Sequence, residues 1–253
     1  MVVVKLMLAL ALRKLRANRL VRLFSLCIFI LVIFAPIRAG AEISSELEVK
    51  SDDRFRGRSL SAGNPVVNVD VSIDTVSGIY SGGSATFILA SQNRTGFKGV
   101  DAHIGFATHI DENVTVDIGV AGYIFTERYS GNANDQYAEA YIGLSVDRFA
   151  VYLHYTPNYF DKNIPVLYAD VNYSRSIGSE FSVKAHAGFL VQTSGRARLG
   201  NKSTRYDTRL AVSRPIWGLD AEIAFTYGGK DDRYFSGPWG GNSAFVFSVA
   251  KHF

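Results

Sequence analysis

Five histidines follow residue 41: His103, His109, His154, His186 and His252. A hydroxyl nucleophile needs a base within hydrogen-bond reach, and histidine is the usual one. None of the five has a serine two residues away on the same strand face; His154-Tyr155-Thr156 is the nearest approach. The chain is therefore expected not to be an enzyme, and no catalytic residue is assigned. A lipid hydrolase assembled from different strands stays open as an alternative. Asp101, His103 and His109 are metal-ligating types, but along a strand the two histidines stand roughly 20 Å apart, too far for one ion. Gly240-Gly241 sits in a Gly/Pro/aromatic run, YFSGPWGGNS, which is no phosphate cradle. No metal, cofactor or phosphate site is expected.

The charges carry a different chemistry. Glu48, Lys50, Asp52, Arg54 and Arg56 recur at period 2 with alternating sign, as an internal ladder of ion pairs would. Asp70, Asp101, Asp117, Glu139, Asp170, Lys184, Asp207, Arg209, Asp220 and Glu222 fall on the polar faces of other alternating segments. Ionisable residues at membrane depth face a cavity or pair with one another. These residues are therefore candidates to line a lumen. Away from the first strand most are acidic, which implies a narrow channel for small polar solutes or ions with a weak cation preference. The alternative is a self-neutralised, plugged barrel with a structural or surface-interaction role. Asp220 and Glu222 lie on one face and are expected to repel one another or attract a cation.

Strands must position these groups. Residues 42–253 contain no sustained helical period, only alternation interrupted by Gly, Asn, Asp and Ser. Strands are expected at 46–56, 66–75, 79–90, 99–110, 113–127, 136–147, 149–158, 165–176, 181–192, 204–213, 217–229 and 243–253. Most alternate cleanly, as Val67, Val69, Val71 and Ile73 do against Asn68, Asp70, Ser72 and Asp74. Connections run long, short, long, short, which is the asymmetry of an outer-membrane barrel. The last strand places Phe245, Phe247, Val249 and Phe253 on one face, as a barrel-closing strand facing lipid would. The expected fold is all-β: a closed antiparallel transmembrane barrel of about twelve strands.

Residues 1–41 hold seven Lys/Arg, no acid and the apolar run LFSLCIFILVIFAPI, then Ala39-Gly40-Ala41. A basic region, an apolar region and small residues at −3 and −1 read as a signal peptide cleaved after Ala41. That leaves 42–253 as the barrel, with 20 Lys/Arg against 23 Asp/Glu and no cysteine. The basic balance belongs to the leader, so a nucleic-acid partner is not expected.

One stretch carries a resemblance. SDDRFRGRSLSAGNPVV, Ser51–Val67, resembles the opening motif of Gcw_chp, a proteobacterial family of exported proteins of unknown function. Ser51, Asp52, Arg54, Phe55, Arg56, Gly57, Ser59, Ser61 and Pro65 match that motif, and Asp53 replaces its tyrosine. Gly78, Tyr80 and Gly82 and the ending Lys251-His252-Phe253 are similar too. The resemblance implies an outer-membrane barrel of a Gram-negative bacterium and no established activity. Outer-membrane lipid and the barrel assembly machinery are then the expected partners, and the barrel a monomer. Arg196, Arg198, Lys202 and Arg205 form an acid-free stretch suited to lipopolysaccharide phosphates. Tyr234, Phe235 and Trp239 suit an interfacial aromatic belt.

Overall fold

A computed structural model of the chain describes residues 40–89, 96–125, 136–160, 162–194, 204–229 and 243–253. Its strands are β1 (Ala41–Lys50), β2 (Arg54–Phe55), β3 (Arg58–Ser59), β4 (Val66–Thr75), β5 (Ile79–Ile88), β6 (Gly96–Asp111) and β7 (Val114–Phe125). There follow β8 (Gln136–Val146), β9 (Phe149–Thr156), β10 (Val166–Ile177), β11 (Phe181–Gln192), β12 (Thr204–Ile216), β13 (Leu219–Gly228) and β14 (Ser243–His252). Twelve of them, β1 and β4–β14, form a closed antiparallel barrel in which each strand pairs with its sequence neighbours and β14 pairs with β1. Closure leaves no strand edge unpaired, the condition for a sheet surrounded by hydrocarbon.

Alternation sets the two faces. Ile104, Phe106, Ile118, Val120, Ile142, Leu144, Val151, Leu153, Leu210 and Phe225 are exposed on the outside. Asp117, Glu139 and Asp207, one position out of phase on β7, β8 and β12, are buried on the inside, as is Asp170 beside the outward Val171 on β10. A soluble sheet would bury the apolar set; this barrel presents it as a belt. Phe245, Phe247, Val249 and Phe253 belong to that outer face, with Phe245 64% exposed.

The first strand differs from expectation. It spans Ala41–Lys50 rather than 46–56, and the chain leaves the wall at Ser51. There the Ser51 amide donates to the Phe247 carbonyl at 2.9 Å, and Ser51 Oγ accepts from the Phe247 amide at 3.0 Å. Asp52, Arg54 and Arg56 therefore stand on no wall strand. The period-2 pattern runs on because β2 and β3 form a small hairpin of their own, with Arg54 opposite Ser59 and Phe55 opposite Arg58. Its two-residue loop, Arg56-Gly57, has φ of 47° and 74°, the positive values that a tight hairpin turn demands. Two smaller corrections follow. Pro215 and Ile216 belong to β12, and the turn after them is Trp217-Gly218, also at positive φ. Lys98 lies in β6 rather than in a loop.

Candidate functional site: the barrel lumen

Asp52 organises the segment 51–65. Its carboxylate accepts from Ser59 Oγ at 2.5 Å, Ser61 Oγ at 2.8 Å, the Gly63 amide at 3.2 Å and Arg54 Nε at 2.7 Å. Ser61 Oγ in turn accepts from the Asp53 amide at 3.0 Å. Short polar side chains thus satisfy a backbone that has left the sheet, where unpaired amides are costly. The segment so folded lies inside the barrel. Lys98 of β6 ion-pairs with Asp53. Arg58 Nη2 donates to the Gly229 carbonyl, just past β13, at 3.0 Å. β6 and β13 lie nearly opposite in the ring, so the hairpin spans the lumen. Gly57 packs against the wall so closely that a Cβ there would meet Asp207 Cβ and Gly228 Cα at 2.7 Å.

Arg56 is the deepest anchor. Its Nη2 donates to both Glu139 oxygens, at 3.0 and 2.8 Å, a charge-assisted contact made through a single guanidinium nitrogen. Its guanidinium carbon lies 4.1 Å from the Tyr168 ring centre, 4.8 Å from Phe55 and 5.4 Å from Tyr159. Burial opposes the charge on Arg56, but Tyr159, Tyr137 and Glu139 outweigh it and hold its pKa above the ordinary value. Around it Leu60, Tyr137, Tyr159, Phe160, Ile164, Val166, Tyr168 and Leu190 form one buried cluster, with Phe55, Tyr123 and Phe125 against it. Tyr159, Phe160 and Ile164 come from the connection after β9, so two of the longer connections meet within this end of the barrel.

Lys98 owes its position to irregularity. The β5–β6 register shifts at Thr86/Phe87, leaving Lys98 as the extra residue of the bulge, pointing inward and only 4% exposed. Burial tends to raise the Asp53 carboxyl, but the Lys98 and Lys50 ammoniums outweigh that and hold it below the usual carboxylate range.

Beneath the hairpin lies a cavity of about 1190 Å³. Glu48, Lys50, Asp52, Arg54, Arg56, Asp117, Glu139, Asp170, Lys184, Asp207, Arg209, Asp220 and Glu222 all border it; Asp70 and Asp101 do not. Its border holds ten carboxylates against five Lys/Arg, together with His103, His154, His186 and His252. Tyr80, Tyr141, Tyr152 and Tyr168 also border it, and the alternation of charges gave no sign of them.

Partners are shared across strands. His154 bridges Glu139 at 3.2 Å and Asp170 at 3.0 Å. His186 meets Asp207 at 2.9 Å and Asn172 at 2.7 Å. His252 meets Glu46 at 3.2 Å and Asp220 at 3.1 Å. Glu222 pairs with Lys184 at 3.3 Å and also with Arg209. The expected repulsion between Asp220 and Glu222 is thus resolved: each has its own cationic or protonatable partner. Among the described residues the histidines reach carboxylates, amides and tyrosines, and the one aliphatic hydroxyl contact is Thr115 Oγ1 to His109 Nδ1 at 2.9 Å. Among the described residues no cluster of three or more metal-ligating groups occurs.

Ala39 lies outside the described residues, and Ala41 opens β1. Arg196, Arg198, Lys202, Tyr234, Phe235 and Trp239 also lie outside them. Arg205 is a correction to the basic stretch proposed for lipopolysaccharide. It borders a small cavity with Arg56, Tyr159 and Asp207 inside the barrel, because inward positions on β12 are odd-numbered.

A closed antiparallel ring with an apolar outer belt and a polar, partly filled interior is the construction of a membrane-spanning β-barrel. Residues 35–253 match the family described as bacterial protein of unknown function (Gcw_chp), and the chain belongs to it. No curated protein matches the sequence. Among solved structures it is similar to the NanC porin in a rhombohedral crystal form, with a TM-score of 0.55 and 13% identity over 83% of this chain and 98% of that one. It is also similar to the KdgM porin, with a TM-score of 0.51 and 10% identity over 83% and 99%. At these identities the likeness establishes the fold.

Proposed function

We propose that the chain is an outer-membrane channel of porin type, passing small polar solutes or inorganic ions with a weak preference for cations. The observation that carries this reading is the cavity of about 1190 Å³, which extends from His252, Pro215 and Asp74 near the short turns up to the hairpin. Its twofold excess of carboxylates over Lys/Arg favours cations. The porin-like fold, the outer belt and the leader read from residues 1–41, cleaved after Ala41, support location in the outer membrane of a Gram-negative bacterium. Lipid contacts the belt, and assembly requires the barrel-insertion machinery.

The hairpin favours a second reading, a barrel plugged at its long-connection end. Planar-bilayer recording of the purified barrel separates the two. The channel reading expects discrete steps of current with a reversal potential displaced toward the cation. Silence from both the native barrel and an Arg56→Ala variant would leave the plugged barrel.

A further inference from the structure

We propose that the lumen wall formed by β5–β10 is a binding site for small organic cations bearing a guanidinium or ammonium group. This deepens the channel reading, on which it rests for the solute's route, by naming the solute class. Three observations carry it.

The first is charge. Among the described residues, the cavity's border on β5–β10 includes Asp117, Glu139 and Asp170 and no Lys or Arg. The cations on the cavity's border that stand on wall strands, Lys50 on β1, Lys184 on β11 and Arg209 on β12, are each ion-paired, the last two with Glu222. Asp117 accepts from the Tyr80 hydroxyl at 2.7 Å and from the Tyr152 hydroxyl at 3.2 Å. Neutral donors orient that carboxylate and leave its charge uncancelled.

The second is a strip of rings. Tyr141 and Tyr152 have centroids 6.2 Å apart, Tyr152 and His154 5.9 Å, and His154 and Tyr168 5.7 Å. Tyr141 and Tyr152 lie over glycines of the neighbouring strand. A Cβ on Gly119 or Gly143 would come within 2.3 Å of the Tyr141 hydroxyl or the Tyr152 ring. A ring laid on one face against the wall offers its other face, the electron-rich surface that attracts a cation, to the lumen.

The third is that a guanidinium already sits at the end of this strip. Arg56 rests on Tyr168 and donates through Nη2 to Glu139. The hairpin thus supplies from within the chain the kind of group the wall is built to hold, and Asp117 with Tyr141 and Tyr152 repeats the same pairing of carboxylate and ring lower in the cavity. An anion meets the uncompensated carboxylate of Asp117 on this wall. A bare alkali ion keeps its hydration more strongly and gains less from the rings. Weak, repeated binding of this kind is what passage through a pore requires.

The test is calorimetric titration of the purified full barrel in detergent micelles with methylguanidinium chloride, sodium methanesulfonate and potassium chloride, run beside bilayer recording. Methylguanidinium should bind saturably at millimolar concentration, methanesulfonate should not, and potassium should bind about tenfold more weakly. Asp117→Asn should weaken methylguanidinium binding by about tenfold and Tyr152→Leu by several-fold. Asp147→Asn, in the turn between β8 and β9 and off the cavity border, should leave it unchanged. Each variant is first shown to keep its heat-dependent mobility shift in SDS gels, so loss of fold is not read as loss of site. Equal binding of methylguanidinium and potassium, or binding unmoved by both wall variants, overturns the inference. Current without methylguanidinium binding would overturn it while the channel reading stands. Binding without current would support it while the channel reading falls.

Discussion

Tyr152 lies where it does because Gly143 has no side chain. The two face inward on adjacent strands, and any Cβ at residue 143 would stand 2.3 Å from Tyr152 Cε1. Gly143→Val is therefore expected to drive the ring into the lumen. It should lower single-channel conductance and cost about 1–3 kcal/mol, seen as a lower temperature for the SDS mobility shift. A residue-level consequence of pH follows from Asp53. Its folded pKa lies below the free-carboxylate value of about 3.9. Its stabilisation of the hairpin is therefore complete above about pH 4 and is lost as pH falls through the depressed folded value. Conductance of the native barrel below pH 4 should approach that of Asp53→Asn at pH 7; a flat profile would show that the Lys98 pair does not hold the hairpin. The charged inward positions were legible because carboxylates alternate with aliphatic residues along each strand. The tyrosines were not, because tyrosine is at home on either face: Tyr155 and Tyr206 are exposed on the outside while Tyr141 and Tyr152 border the cavity. Lys98 was hidden for another reason, since a bulge changes the phase on which alternation depends.

At the scale of elements, the segment 51–65 is a preassembled unit held on the wall by a buried apolar cluster and three polar contacts. Asp52 closes it internally, whereas Arg56–Glu139, Lys98–Asp53 and Arg58 with the Gly229 carbonyl dock it. Both ends of the Arg56–Glu139 pair are buried, so Arg56→Ala leaves Glu139 without its guanidinium at a cost of about 3–5 kcal/mol. That is enough to undock the hairpin without unfolding the ring, whose strand pairs do not involve it. If the native barrel conducts, Arg56→Ala should conduct more and gate less often. Unchanged current would mean that the constriction lies elsewhere. The wall strands could be read almost to their ends because period 2 and turn residues mark them. The hairpin could not, because it is also a strand structure and continues the charge alternation of β1 across the bend at Ser51. The residues matching the family motif, Ser51–Pro65, turn out to be the ones that fold this insert: Asp52, Ser59 and Ser61 as its polar hub, Arg56-Gly57 as its turn.

At the scale of the whole molecule the ring is only as closed as its seam. β1 and β14 pair from Glu46 opposite His252 to Lys50 opposite Ser248. Beyond the first of these pairs, Phe253 and Ser45 exchange two backbone hydrogen bonds, at 2.9 and 3.2 Å. On the other flank of β1, Ser44 Oγ meets Ser72 Oγ of β4 at 2.7 Å. Removing Phe253 takes both of the Ser45 backbone bonds away, at about 0.5–1.5 kcal/mol each where water replaces them and several kcal/mol where hydrocarbon does. It also removes an exposed ring from the end of the outer belt. A lost bond elsewhere in the sheet leaves two strands still held by the rest of the ring. At the seam the first and last strands must find one another after all others have paired, so the loss falls on the closing step itself. Deleting Phe253 should lower the folded, heat-modifiable fraction in outer membranes well below that of the native chain. Deleting Gly200, in the connection between β11 and β12, should leave that fraction close to native. Equal folded fractions for the two deletions, measured by the mobility shift of unheated samples, would show that the seam closes without the Phe253–Ser45 pair.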